Sequence, residues 1–249
     1  MVEKEIFRKL KLNGYRDIKD LIYHQKFGSY AKQFINILEQ KKIKDLYEWI
    51  YKRKRSQSHP LLFLICNLIP LDKLLFIDIE TLGLYTQPII LTGIARIKNN
   101  EIIIDQFLTL NLDEEPAMLF ATISYINEDN IILSYNGKNF DIPYLDSRLI
   151  YYGILNESIS NIHLDLFHFC KRLFKNRFPN LKLSTLEQFL LGLKRNIEVP
   201  SFLVPEFYYE YLKINNPGPL IPIIQHNKQD LITLIKLFLK LYENIIDFY

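Results

Sequence analysis

The stretch Leu74-Leu75-Phe76-Ile77-Asp78-Ile79-Glu80-Thr81-Leu82-Gly83-Leu84 constrains this chain more than any other. An unbroken apolar run of this length predicts a strand buried on both faces. Side chains alternate along a strand, so Asp78 and Glu80 share one face while Ile79 turns into the core on the other. Two carboxylates so close cannot both ionise cheaply; they must be hydrated, protonated or bound to a cation. Oxygen ligands of this kind suit Mg²⁺ and Mn²⁺. The Thr-Leu-Gly that follows breaks the strand and turns the chain away. A bare Asp-x-Glu is most often an exposed pair at a strand tip, so the rest of the chain has to decide.

A chain of 249 residues with 49% apolar content can bury a sizeable core, and wholesale disorder is excluded. Cys66 and Cys170 lie in apolar surroundings without metal-ligand spacing, which fits buried thiols in a reducing compartment. The opening Met-Val-Glu-Lys-Glu carries no apolar leader, and the apolar run 61–70 is too short to span a bilayer. The expectation is a cytoplasmic protein with no membrane partner. Charge is unevenly spread: residues 1–60 hold 15 Lys/Arg against 7 Asp/Glu, and residues 61–249 hold 16 against 21. A basic segment joined to an acidic body suits a polyanion-binding protein whose acids hold metal; a solvated basic helix face would give the same count.

Residues 1–70 predict a basic helical N-terminal segment, with apolar residues at helical spacing in 34–38 and 46–51, a dense basic patch from Tyr51 to Arg55 and a linker at 57–60. The pattern changes near Lys73, and residues 71–249 form a second domain. Strands are expected at 74–79, 88–97, 101–110, 131–135 and 162–166, the second and third joined by a hairpin at Lys98-Asn99-Asn100. Helices are expected at 116–126, 142–152, 167–174, 205–212 and 220–246, and a capping box at Ser184-Thr185-Leu186-Glu187 opens a further helix reaching Leu193. This order describes an α/β domain with a mixed sheet and helices on both sides.

Further acids stand at telling positions. Asp141 follows a strand and the turn at Asn136-Gly137 and opens a helix, where a simple cap would contribute about 1 kcal/mol. His226 and Asp230, four apart, share one face of a helix whose stripe continues through Thr233 and Leu237, so they need an interior partner unless that face is exposed. Asp165, at the end of a short strand, reads as the cap of the next helix. Together these motifs resemble the DEDD (DnaQ-like) superfamily of 3′–5′ exonucleases, which have the ribonuclease H-like fold. Asn136 with Phe140-Asp141-Ile142-Pro143-Tyr144-Leu145 is similar to the second exonuclease motif of family B DNA polymerases. Residues 181–187 and His226-Asn227-Lys228-Gln229-Asp230 resemble the YprB-like branch. The resemblance covers about residues 73–245. It departs at the histidine: the histidine subgroup has its His five residues before the last Asp and the tyrosine subgroup a Tyr four before, whereas here a His stands four before.

The resemblance implies a ribonuclease H-like mixed five-stranded sheet flanked by helices; the N-terminal helical appendage of residues 1–70 lies outside it and is read from the residues alone. It implies two Mg²⁺ or Mn²⁺ ions held by Asp78, Glu80, Asp141 and Asp230, stabilising the attacking and leaving oxygens of a phosphodiester. His226, with an ordinary pKa of roughly 6.5, would take the proton of the attacking water. Thr81 and Leu82 would hold the terminal nucleotide, and Asn136 belongs to the second motif with Asp141. Phe140 or Tyr144 could stack a base, though core packing is the favoured reading for both rings, and Lys138 and Lys182 could meet phosphates, though a solvated surface lysine is the default reading for each. The expected activity is metal-dependent 3′–5′ exonuclease action on single-stranded nucleic-acid ends, DNA ahead of RNA. The alternatives are a nucleic-acid-binding module with little turnover and a structure-specific endonuclease. Residues 1–70 would grip substrate or dock a protein partner.

Overall fold

The computed structural model describes residues 4–40, 42–54, 56–84, 86–193, 195 and 200–248. The chain divides into two units, Met1–Leu68 and Ile69–Tyr249. The first is helical: α1 (Lys4–Leu12), α2 (Gly28–Glu39), α3 (Ile43–Lys54) and α4 (Pro60–Leu64). Helices α2 and α3 bury Ala31, Leu46 and Ile50 and bring the Phe34 and Trp49 rings to 5.4 Å. The apolar run from Leu61 is entered by a helix that begins one residue earlier, because Pro60 suits a first helical position and the His59 ring accepts from the Leu61 amide at 3.2 Å. It tightens to a 3₁₀ turn over Ile65–Leu68. Of the basic patch, Arg55 lies outside the described residues.

The second unit is built on five strands: β1 (Leu74–Thr81), β2 (Ile89–Lys98), β3 (Glu101–Leu108), β4 (Ile131–Ser134) and β5 (Ile162–Asp165). Their order is β3-β2-β1-β4-β5, antiparallel among β3, β2 and β1 and parallel from β1 through β4 to β5. The hairpin turns at Asn99 and Asn100, both with positive φ, the backbone that a tight two-residue turn requires. Around the sheet run α5 (Glu115–Ile123), α6 (Asp141–Tyr151), α7 (Leu166–Phe174), α8 (Leu183–Phe189), α9 (Val204–Ile214) and α10 (Leu220–Phe248). This is the mixed five-stranded α/β fold that the sequence predicts. Among the described residues no helix is long and apolar enough to cross a membrane.

Alternation along β1 sorts the core into two layers. Leu75, Ile77 and Ile79 pack with Met118 and Leu119 of α5 and with Ile142, Leu145 and Leu149 of α6. The other face of β1 meets α10: Phe76 packs edge-on against Phe238 at 5.7 Å. The two elements run in complementary gradients. The apolar start of β1 lies against the apolar half of α10, and the acidic end of β1 against the polar residues 226–230.

The capping box expected at Ser184 is not formed. Lys182 is the N-cap and makes no side-chain cap, so Ser184 and Thr185 fall inside α8. Asn180 does the work from outside the helix: its Oδ1 accepts from the Lys182 amide at 2.9 Å and from the Thr185 hydroxyl at 2.6 Å. Helix α8 ends at Phe189, short of Leu193, with Glu187 drawn into the interior instead of back to its own N-terminus.

Candidate active site

Three segments deliver carboxylates to one pocket: the end of β1 with Asp78 and Glu80, the first residue of α6 with Asp141, and α10 with Asp230. Asp141 is more than a helix-terminal acid, because its Oδ1 accepts from the Ile79 amide of β1 at 3.2 Å and so ties the α6 N-terminus to the strand between the two acids. The approach depends on Gly137, where a Cβ would stand 2.3 Å from Ser134 Oγ and 3.0 Å from Asp141 Oδ2. Asp165 caps α7, accepting from the Phe167 amide at 3.0 Å as expected, and also takes the Asn136 and Lys138 amides at 2.7 and 3.2 Å. It therefore shapes the turn that presents Asp141.

Electrostatics bind the four acids into one unit. Burial pushes the Asp78 and Glu80 carboxyls well above the usual range, and repulsion from Asp230 and Asp141 pushes them further. Burial raises Asp141 to about 7. Asp230 is raised by burial too, against the pull of His226 and Arg195. His226 Nε2 stands 3.6 Å from Asp230 Oδ2 and 3.8 Å from Glu80 Oε1. The four-residue spacing thus puts the imidazole between β1 and Asp230.

Two residues of this pocket had no role assigned to them from the sequence. Asn227 is fully buried and donates to Asp78 Oδ2 at 2.8 Å and to its backbone carbonyl at 3.1 Å. Its own Oδ1 accepts from Gln106 of β3 at 2.8 Å, which fixes the amide orientation. Room for this amide exists because β2 carries Gly93 opposite Asp78; a Cβ there would sit 2.1 Å from Asn227 Oδ1. Arg195 is the second, and it lies outside every motif. Its guanidinium bonds Asp230 Oδ1 and Glu187 Oε2, and Nη1 stands 3.4 Å from His226 Nδ1. Glu187 also accepts from Gln229 and, at 3.0 Å, from Thr233.

The residues expected to bind substrate divide in two. Asn136 and Lys182 line a cavity of about 700 Å³ that also reaches Tyr135, Phe202, His226 and Asp230. Lys138 is half-buried, and desolvation lowers its pKa. The others lie in packed surroundings. Thr81 bonds the Gly83 carbonyl at 2.6 Å. Leu82 is buried with Ile90, Leu91 and Tyr208. Phe140 packs on the α5–α6 layer, and Tyr144 is buried with its hydroxyl donating to the Gln87 carbonyl at 2.7 Å.

The donor set is all oxygen and carries more negative charge than its buried setting favours, which is the chemistry that Mg²⁺ or Mn²⁺ neutralises. Among the described residues, no three His, Cys, Asp or Glu side chains are drawn together tightly enough to hold an ion as they stand. Asp230 is engaged by Arg195 instead. A ligand role for Asp230 therefore requires the guanidinium to yield.

A family model described as RNase_H_2, of the RNase_H superfamily, matches residues 75–242. The chain belongs to the RNase H superfamily. The matched span takes in every strand but the first residue of β1, all four acids and His226. Members of this superfamily are typically nucleases that use divalent metals. The Bacillus subtilis protein YprB is 29% identical over 182 residues, covering 70% of this chain and 43% of YprB. The DNA polymerases of the Autographa californica and Bombyx mori nuclear polyhedrosis viruses are each 28% identical over 149 residues, covering 49% of this chain and 14% of theirs. The chain spans less than half the length of each of these relatives.

Proposed function

We propose that this RNase H superfamily chain is a 3′–5′ exonuclease of the DEDD branch, hydrolysing phosphodiesters at single-stranded ends, with DNA ahead of RNA. The observation that carries the proposal is the convergence of four buried carboxylates from three segments: burial raises the pKa of each, and Asp230 and Asp141 raise those of Asp78 and Glu80 further. Asp78, Glu80, Asp141 and Asp230 would hold the ions, which supply charge neutralisation at the attacking and leaving oxygens. Asn227 aims Asp78 by holding one oxygen of its carboxylate. His226 takes the proton of the attacking water at Nε2, the nitrogen that faces Glu80 and Asp230. Asn136 and Lys182 line the cavity next to the acids and receive the terminal nucleotide, with Lys138 meeting phosphate. Thr81 and Leu82 act through the backbone they hold in place. Similarity to two viral DNA polymerases supports DNA over RNA.

The experiment is incubation of the full chain with 5′-labelled single-stranded DNA and RNA, in Mn²⁺ or in EDTA. Stepwise shortening from the 3′ end in Mn²⁺ alone is expected, faster on DNA. A second reading, a nucleic-acid-binding module with little turnover, draws on the Arg195 guanidinium lodged at Asp230. Binding without metal-dependent shortening would favour it, and internal cuts in structured substrates would favour an endonuclease.

A further inference from the structure

The first unit carries a side-chain cluster that the nuclease pocket does not use. The 3₁₀ turn Asp20–Tyr23 leads into α2 through a corner pinned by His24, whose Nδ1 accepts from the Lys26 and Phe27 amides at 3.1 and 3.3 Å. The His24 ring also packs against Tyr15 and Phe27, with centroids 5.2 and 4.9 Å away. This corner holds Tyr23 out in solvent at 92% exposure. Lys32 Nζ lies 5.8 Å over the Tyr23 ring. Tyr23, Lys32 and Gln33 line one side of a cavity of about 570 Å³ with Ile22, His24 and Ser29.

Gln33 carries the cluster onward to α3. Its Oε1 accepts from Arg53 Nη2 at 3.2 Å. The Arg53 guanidinium in turn lies 3.8 Å from the Trp49 ring centroid and 5.6 Å from that of Tyr30, which is 54% exposed. Two ring–cation groups, Tyr23 with Lys32 and Tyr30 and Trp49 with Arg53, are thus joined along α2 by Gln33. Among the described residues no acid lines the cavity, α2 carries its one acid, Glu39, at its far end, and Glu48 of α3 is already paired with Lys52 at 3.1 Å.

We infer that this α2–α3 face is a second nucleic-acid site, one that grips single strands by stacking unpaired bases on Tyr23 and Tyr30 while Lys32 and Arg53 meet the phosphates. Exposed rings interleaved with cations are what a single-strand platform requires, because every base offers a π-face and every linkage a charge. A duplex keeps its bases inside the helix and leaves the rings unused. The inference rests on the nuclease reading only for the identity of the polymer; the binding itself needs neither metal nor the carboxylate pocket.

The test is fluorescence anisotropy of the full chain with a labelled 20-nucleotide oligothymidylate in EDTA, so that nothing is cleaved, over a series of salt concentrations. Tyr23→Ala should weaken binding about 5- to 160-fold, the range of one lost base stack, and Tyr23→Phe should restore it. Lys32→Gln and Arg53→Gln should each flatten the slope of log affinity against log salt by about 0.7. Tyr23 is so exposed that its replacement leaves the fold intact; circular dichroism checks the Arg53 variant. A duplex of the same length should bind more weakly and should not respond to Tyr23→Ala. Unchanged affinity and slope in all these variants would overturn the inference and leave the face to a protein partner, and so would an absence of metal-free binding. Either result is separate from the nuclease reading, which fails only if Mn²⁺ promotes no shortening.

Discussion

Arg195 and Asp230 set the chemistry of the pocket at the scale of single residues. A guanidinium bonded to a carboxylate that must also serve as a metal ligand is a competitor for it. Arg195→Gln is therefore expected to bind Mn²⁺ about tenfold more tightly than the parent by titration calorimetry, and Arg195→Lys to fall between; equal or weaker binding would show that the guanidinium does not compete. Asp141 makes a different prediction. Its folded pKa, near 7, lies above the ordinary carboxylate value, so between about pH 4 and 7 the folded state binds more protons than the unfolded one. Stability without metal should fall as pH rises through that window, and the slope should lessen in Asp141→Asn. Thermal denaturation in EDTA from pH 4 to 8 measures both. Gly93 is a steric case: an added methyl meets Asn227 and Leu231, so Gly93→Ala should destabilise by about 1–3 kcal/mol and turn Asn227 away from Asp78.

At the scale of elements, the exit of β1 is held by a device remote from the acids. Glu115 of α5 is completely buried and accepts from Arg148 of α6, from the Tyr152 hydroxyl at 2.9 Å and from the Ile89 amide of β2 at 2.9 Å. Arg148 also reaches the Thr86 carbonyl at 3.1 Å, and Tyr144 the Gln87 carbonyl at 2.7 Å. Removing one partner leaves a buried charge unpaired, so Arg148→Met should lose about 3–5 kcal/mol in chemical denaturation, and Glu115→Gln with Arg148→Met should recover much of it. No recovery in the double variant would mean that the pair acts through packing alone. The strands were legible in the sequence because each is a short apolar run whose burial is local information. So was the hairpin at Asn99-Asn100, since positive φ is a property of residue type. The Ser184 capping box was misread because Glu187 has a better offer 8 residues away in Arg195 and further along in Thr233. A local motif cannot register such distant partners.

Across the whole molecule, the same division between local and distant information holds. Asp78, Glu80 and Asp141 were visible as acids at element ends and His226 with Asp230 as a polar pair on one helix face, and β1, α6 and α10 bring them close together. Gln106 and Arg195 were invisible, and Asn227 stood in a motif without a role: an amide on β3 that orients an amide on α10, 121 residues away, is not legible from either position. Phe140 and Tyr144 were candidates for stacking a base with core packing the favoured reading, and both rings pack inward. The first unit was legible as basic and helical, but its ring–cation groups are joined only once α2 and α3 are paired.

The most direct measurement compares the parent chain with Asp78→Ala on 5′-labelled single-stranded DNA in Mn²⁺, with circular dichroism to show that the fold persists. The expected result is a ladder of 3′-shortened products from the parent and intact substrate from the variant. Undiminished shortening by Asp78→Ala would contradict the carboxylate pocket as the seat of hydrolysis.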